Sequence, residues 1–511
     1  MPSAHELTAR AGMINLGSLF STRARFAAEQ VALESPGARL SYAQLDERAN
    51  RLANALAGLG VARGDRICVL SENRFEYVET VLAAAKLGCI VAAQNWRLVQ
   101  AELAYCTQLV EPKLVLVSPR FQALLAGVPH QAARVLAFGD EYEALLAAAD
   151  RAEPPDVAQP EDGLIILYTS GTTGLPKGAL ISHRAMMARA QIFYLDLQLE
   201  PASSFIAWSP MYHMVSADQM LATLINGGKV IVLDGYDADA LADIVAREKI
   251  GWLSILPGTV EAFNAAMQRK GVRPAGVKVV GGMADLVPRH QLAELTGLLN
   301  APFMNSFGST ETGIPPASKN FVAVGQAPQD LPKTQNSLCQ IRLVDEDDHE
   351  VPDGEPGELA IRGPTVFSGY WNAPEANARD FRGGWFHMGD VFVRNADGTL
   401  SYVDRRKYLI KSGGENIYPA EIERLLLADA RVAEAVVVRK PDARWGEVPV
   451  AFVVRKDQGL TEADVMACCD GRIARYKLPK EVRFVADADL PRSATGKIKR
   501  FELEEQFEPK A

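Results

Sequence analysis

LYTSGTTGLPKGALISH, residues Leu167 to His183, is the stretch whose reading decides the fold and the chemistry. The apolar run Leu164–Leu167 reads as a buried strand. It leads into an unbroken Gly/Ser/Thr turn, Thr169, Ser170, Gly171, Thr172, Thr173 and Gly174, followed by Leu175, Pro176, Lys177 and Gly178. Glycines let a backbone turn tightly and aim its N–H groups at an anion, the hydroxyls add donors, and Lys177 adds positive charge. A Walker loop needs glycine directly before the lysine, whereas here glycine follows it. Many ordinary turns are rich in these residues. A strand, a hydroxyl-rich turn and a lysine in this order is rarer, and it points to phosphate groups.

Working outward, strands alternate with helices. Residues 42–60 place Leu45, Ala49, Leu52, Leu56 and Leu59 three or four apart, an amphipathic helix ending at Gly60. Asp65–Leu70, Cys89–Gln94 and Leu114–Ser118 read as strands, with a helix over Arg74–Leu87. The alternation recurs from Leu164 through VIVL, WLSIL and VKVVGG, and it implies parallel sheets covered on both faces. After about Gln340 short strands joined by PDG and ADGT turns predict an antiparallel β region. Beyond Tyr408 a helix at Ala420–Leu427, strands AVVVRK and PVAFVVRK, and a helix at Ala463–Arg475 suffice for a separate α+β domain. The charged run Asp404-Arg405-Arg406-Lys407 reads as an exposed junction. The fold expected is α/β: a large amino-terminal region of two α/β subdomains plus a β-barrel-like part, then a small mobile α+β domain. The expected boundaries are 1–404, a hinge at 405–407, and 408–511.

At 511 residues the chain suits about three units of roughly 100–200 residues and needs no disulfide or metal staple. Its six cysteines lack zinc-like pairing and read as reduced thiols of a cytoplasmic protein. No signal-peptide pattern opens the chain, and no window approaches about 18 uninterrupted apolar residues, so neither secretion nor integral membrane association is expected. A net charge of −9 argues against a nucleic-acid partner. One stretch, Gly471–Arg500, carries nine Lys/Arg against three Asp/Glu residues. It reads either as a solvated surface or as a face for phosphates.

Further motifs follow in order: Asn305-Ser306-Phe307-Gly308-Ser309-Thr310-Glu311, Trp385-Phe386-His387-Met388-Gly389-Asp390, Asp404 to Asn416, and Pro491-Arg492-Ser493-Ala494-Thr495-Gly496-Lys497. Together with the phosphate loop they resemble the motifs of the adenylate-forming superfamily, which includes acyl- and aryl-CoA synthetases, firefly-type luciferases and peptide-synthetase adenylation domains. The likeness runs from about residue 40 to 500. Met388 stands where the family usually has threonine, and Phe307 where it more often has tyrosine.

The resemblance implies an enzyme that activates a fatty or aryl carboxylic acid with ATP as an acyl-adenylate, then passes the acyl group to CoA. An alternative is an acyl-AMP ligase that loads a carrier protein. Activation sets a carboxylate against an anionic α-phosphate, so charge must be neutralised and the reactants aligned. By resemblance, Thr169–Gly174 and Lys177 wrap the leaving phosphates, and Glu311 holds Mg2+. Phe307 lies against the adenine, Gly308, Ser309 and Thr310 belong to the same ATP/AMP-binding motif, Asp390 accepts from the ribose, Arg405 meets ribose or phosphate, and Lys497 is catalytic, stabilising charge at the α-phosphate. Lys407 matches the hinge.

On the acyl side Ser209-Pro210-Met211-Tyr212-His213 resembles the family's Pro-x-aromatic-His motif. It implies that Tyr212 and His213, with Gly282 and Met283, line the acyl pocket, and that His213 is catalytic at the junction of the carboxylate and the thiol tunnel; a packed core histidine is the other reading. Asp218 reads first as a charge near a helix N-terminus, and second as a polar group in the acyl pocket. For CoA the resemblance implies Ser412, Gly413 and Gly414 along the pantetheine path. Trp445 would pack on the CoA nucleotide, or be a buried structural ring. Dimers are frequent among similar enzymes, so a homodimer stays open.

Overall fold

The computed structural model describes residues 3, 8, 11–169, 175–413, 415–492 and 496–507. The chain forms two compact units, Met1–Ile341 with Ile361–Phe386, and Arg342–Ala360 with His387–Ala511.

The first unit is built on a six-stranded sheet ordered Arg134–Ala137, Leu114–Val117, Arg66–Leu70, Ile90–Ala93, Gly163–Thr169 and Lys177–Ser182. The first five strands pair in parallel and the last is antiparallel. Ile90–Ala93 and Leu114–Val117 are buried at every position, as strands covered on both faces must be. The expected helix begins at Tyr42, where Ser41 and Gln44 cap one another, and it runs to Gly58. Such a cap contributes about 1 kcal/mol. Two four-stranded sheets follow. One is ordered Ala38–Ser41, Val31–Ser35, Val230–Val232, Phe205–Ala207; the other Ile250–Ser254, Val277–Gly282, Phe303–Asn305, Phe321–Val322.

Most of a four-stranded sheet ordered Gln340–Val344, Pro356–Arg362, Phe386–Arg394, Leu400–Arg405 falls in the second unit. Its tail is a sheet centred on the long antiparallel pair Val432–Asp442 and Gly446–Arg455. Glu481–Phe484 is added in parallel, and the helix Pro419–Leu427 packs in the tail's core.

Three expectations change. The helix placed at Ala463–Arg475 is Glu462–Cys469, because Asp470 is extended and Gly471 turns away at φ +71°. Asp404 is not exposed: it is 2% accessible, and its two oxygens accept the N–H groups of Arg405 and Ala420, both at 2.7 Å. Asp218 is not a surface charge near a helix start; it lies in the fifth position of Met214–Ile225 and is buried. Among the described residues no helix is long and apolar enough to cross a membrane.

Candidate active site

The hydroxyl-rich turn spans two antiparallel strands whose ends are in register, Thr169 opposite Lys177. Ser170, Gly171, Thr172, Thr173 and Gly174 lie outside the described residues, as does Gly414. The chain leaves the turn as a strand, and the next helix starts only at His183. A Walker loop opens a helix, whereas here a strand follows the hydroxyl-rich stretch.

The outer side of strand Lys177–Ser182 is lined by residues 368–371. Leu180 N–H donates to Gly369 O at 3.0 Å, Trp371 N–H to Gly178 O at 2.7 Å, and Tyr370 bridges to Ala179. Residues two apart on a strand share a face, so Tyr370 stands diagonal to Lys177. The Lys177 Nζ sits 4.1 Å from the Tyr370 ring centroid, and 3.5 Å from Asp380 Oδ2. The Tyr370 hydroxyl donates to Glu311 Oε1 at 2.8 Å. Its backbone is held at both polar atoms by the Asn377 side chain, and its ring packs edge-on against Phe367.

Glu311 follows the short strand Gly308–Ser309, which pairs with Gly313–Pro316. A side chain at Gly308 would strike Gly313 O, so the ribbon requires glycine there. Ser309 N–H and hydroxyl both meet Thr312 Oγ1, at 3.3 and 3.1 Å. Phe307 is only 4% exposed; its N–H donates to Ser318 Oγ at 2.9 Å, so it anchors the loop and offers little open ring face. Beneath this ribbon lies Arg189, fully buried. It donates to Thr310 O at 3.1 Å and Thr365 O at 3.0 Å, and faces Asp218 at 3.3 Å. Gly313, at φ +78°, is needed because a Cβ would sit 2.9 Å from Arg189 Cγ. Burial pushes the Asp218 carboxyl above its ordinary value against the pull of Arg189.

On the acyl side, His213 caps the helix Met214–Ile225 and is partly exposed, so it is not a sealed core residue. Tyr212 is buried, which pushes its hydroxyl up to about 12. The segment before them is clamped by Asn73. Its amide donates to Ala207 O, Ser209 O and Leu233 O at 3.1, 2.8 and 3.0 Å and accepts from Met211 N–H at 2.9 Å. Gly282 ends its strand with no room for a side chain against Ile255 O, and Met283 is exposed beside it. Gly282 O accepts from Ser306 N–H at 2.9 Å, which ties this wall to the Glu311 motif. The buried Lys333 Nζ reaches Asp285 Oδ2 at 2.6 Å and Asn305 Oδ1 at 2.8 Å, bracing the same junction.

In the second unit Asp390 and Arg405 are cross-strand partners, and Arg405 Nε lies 2.8 Å from Asp390 Oδ1. Lys407 is exposed, with Nζ over the Tyr408 ring. Ser412 is buried opposite Glu415 and Gly446. Gly413, at φ +61°, donates to Trp445 O at 2.7 Å, and a Cβ there would meet the indole at 2.8 Å. Trp445 itself is 43% exposed with Arg444 over its ring, so the buried-ring reading does not hold. Much of the basic stretch is neutralised locally: Lys477 by Glu421, Arg483 by Glu481, Arg492 by Asp487 and Arg500 by Glu423. Lys497 is exposed on a loop closed by the Arg492–Ile498 bridge.

Comparison with known proteins bears directly on this arrangement. The AMP-binding enzyme family matches residues 20–371, and the AMP-binding enzyme C-terminal domain matches 421–497. An indoleacetate–CoA ligase of Aromatoleum aromaticum is 36% identical over 92% of this chain and 94% of its own. A feruloyl-CoA synthase of Amycolatopsis sp is 33% identical over 96% and 99%. This chain belongs to the AMP-binding enzyme family, in its acyl-CoA synthetase branch.

A solved o-succinylbenzoate CoA synthetase from Bacillus subtilis, in complex with the acyl-adenylate intermediate OSB-AMP, superposes with a TM-score of 0.83 at 26% identity. The match covers 96% of this chain and 98% of that one. The ligase is thus an ATP-dependent, adenylate-forming enzyme that activates a carboxylic acid and transfers it to CoA. Its sequence did not reveal Tyr370, Arg189, Asn73 or Lys333 as parts of the site's frame. Each acts through partners distant in the chain, and no local spacing marks them.

Proposed function

We propose that the ligase acts on a carboxylic acid bearing an aromatic ring, with MgATP, and that the residues above divide the two half-reactions. The aromatic preference is supported by relatives matched along their whole length, whose names specify indoleacetate and feruloyl substrates. The observation that carries the assignment of the site is Tyr370, which meets the phosphate-loop lysine with its ring and Glu311 with its hydroxyl.

Among the described residues no cluster of three or more metal-ligating side chains exists. That fits magnesium, which is commonly held by one or two carboxylates plus substrate phosphates, and Glu311 is a hard oxygen donor of that kind. Bound there, magnesium would neutralise phosphate charge. Lys177 and the hydroxyl-rich turn hold the leaving phosphates, Asp390 accepts from the ribose, and Arg405 fixes that carboxylate. The substrate carboxylate oxygen attacks the α-phosphorus, the bond to the β-phosphate oxygen breaks, and Lys497 stabilises the charge that develops. The CoA thiol then displaces AMP, with His213 beside the acyl carbonyl and pantetheine running along Ser412–Gly414 to Trp445. We place the hinge between the half-reactions at Lys407, dividing 1–404 from 408–511.

A panel of aromatic and straight-chain acids tests this, with pyrophosphate release and thioester formation followed together. Arylacetic or cinnamic-type acids should give the highest kcat/KM with free CoA. A preference for long straight chains would remove the aromatic assignment.

A further inference from the structure

We propose that Tyr370 is a positioning residue that keeps the phosphate-loop cation and the site's carboxylate apart and separately aimed. The proposal rests on the assignment of Lys177 to phosphate and Glu311 to the metal. A lysine and a glutamate gathered at one tyrosine attract each other, and a direct pair would neutralise the two groups that must meet phosphate and metal. Among the described ion pairs Lys177 is not joined to Glu311; its ammonium lies on the Tyr370 ring and near Asp380. A ring face attracts a cation through its quadrupole without quenching the charge, and it does so more strongly where water is thin. The hydroxyl meanwhile donates to one oxygen of Glu311 and leaves the other oxygen's lone pairs for a further ligand.

The tyrosine is itself over-determined. Its N–H donates to Asn377 Oδ1 at 2.7 Å and its carbonyl accepts from Asn377 Nδ2 at 2.8 Å. Its ring lies 4.8 Å from Phe367, which packs in turn on Phe381 and Phe386. The Phe367 N–H donates to Glu311 O at 2.8 Å, so the same segment fixes the glutamate's backbone. One rigid ring thus sets both the lysine and the glutamate. Asp380 supplies a counter-ion for Lys177, which a nucleotide phosphate would replace.

The two functions of the ring separate by substitution. Tyr370→Phe keeps the face under Lys177 and removes the hydroxyl from Glu311. Tyr370→Leu removes both. ATP binding is measured by calorimetry in EDTA and over a magnesium titration, with manganese binding by electron paramagnetic resonance as an independent readout. For Tyr370→Phe we expect unchanged ATP affinity in EDTA. The metal concentration at half-effect should rise about tenfold, the low end for losing a hydrogen bond to a charged group. For Tyr370→Leu, ATP affinity in EDTA should fall as well. Tyr370→Phe preserves ring shape, so its melting temperature serves as the folding control. Glu311→Gln separates the two levels of the argument. If it weakens the metal effect while Tyr370→Phe leaves it untouched, the coupling is overturned and the site assignment stands. If Glu311→Gln leaves the metal effect intact, both are overturned.

Discussion

The surroundings of Glu311 and the surroundings of Lys497 are built in opposite ways. Around Glu311, the Thr310 and Glu311 carbonyls are held by Arg189 and Phe367, the carboxylate by Tyr370, and the ribbon by two glycines that admit no side chain. Lys497 is exposed; among the described residues, its neighbours Arg492 and Ile498 form a bridge that includes Lys499 N–H to Pro491 O at 2.8 Å, and Arg492 donates to Gly496 O at 3.2 Å. The first arrangement suits a preorganised electrostatic site, whose donors pay no reorganisation energy during reaction. The second suits a group delivered for one step and withdrawn for the next.

Four changes probe that contrast. Asp218→Asn leaves Arg189 buried without its counter-charge, and should cost about 3–5 kcal/mol of stability in urea denaturation. A loss under about 1 kcal/mol, as for an exposed pair, would show that the ribbon does not rest on this anchor. Lys497→Ala should lower the adenylation rate by about 10²–10³-fold, as for loss of one transition-state donor. It should leave thioester formation from supplied acyl-AMP nearly unchanged, and unaltered adenylation would remove the lysine from its role.

The third change uses pH. His183 is buried and its imidazole falls from 6.5 to about 4, because burial disfavours the cation despite Asp162 nearby. The folded state therefore resists the proton that the unfolded state accepts. Stability is intact above pH 6.5 and declines by up to about 3 kcal/mol as pH falls towards 4. His183→Asn should flatten that slope in denaturation curves recorded across the window; an unchanged slope would assign it elsewhere. The smallest effect is expected from Gly413→Ala. Its methyl would press on Trp445 and should raise the KM for CoA severalfold while pyrophosphate exchange stays at the original rate. Equal effects on both would separate Gly413 from the CoA path.

The sequence announced the strands and helices of the first unit because each carries its own periodicity and punctuation. Gly163–Thr169, Ile90–Ala93 and Val277–Gly282 fall where the apolar runs do. Motif order also singled out Glu311, Asp390, Arg405 and Lys497 as candidates, since each sits in a short string that resembles the family's. What stayed hidden depends on partners far along the chain. Asp218 read as a surface charge because nothing local shows Arg189 opposite it. Tyr370 went unnoticed because its roles come from Ala179, Lys177 and Glu311 on other strands and loops. The helix at 462–469 was read too long because its amphipathic pattern continues past Gly471, where the backbone does not.

The account stands on attack by a carboxylate oxygen at the α-phosphorus of ATP. A carboxylic acid labelled with oxygen-18 in both carboxyl oxygens tests this in one turnover with CoA and unlabelled ATP. The prediction is AMP carrying one oxygen-18 atom, with the other left in the thioester carbonyl. Label in inorganic phosphate, or AMP free of label, would contradict adenylate formation and the roles built on it.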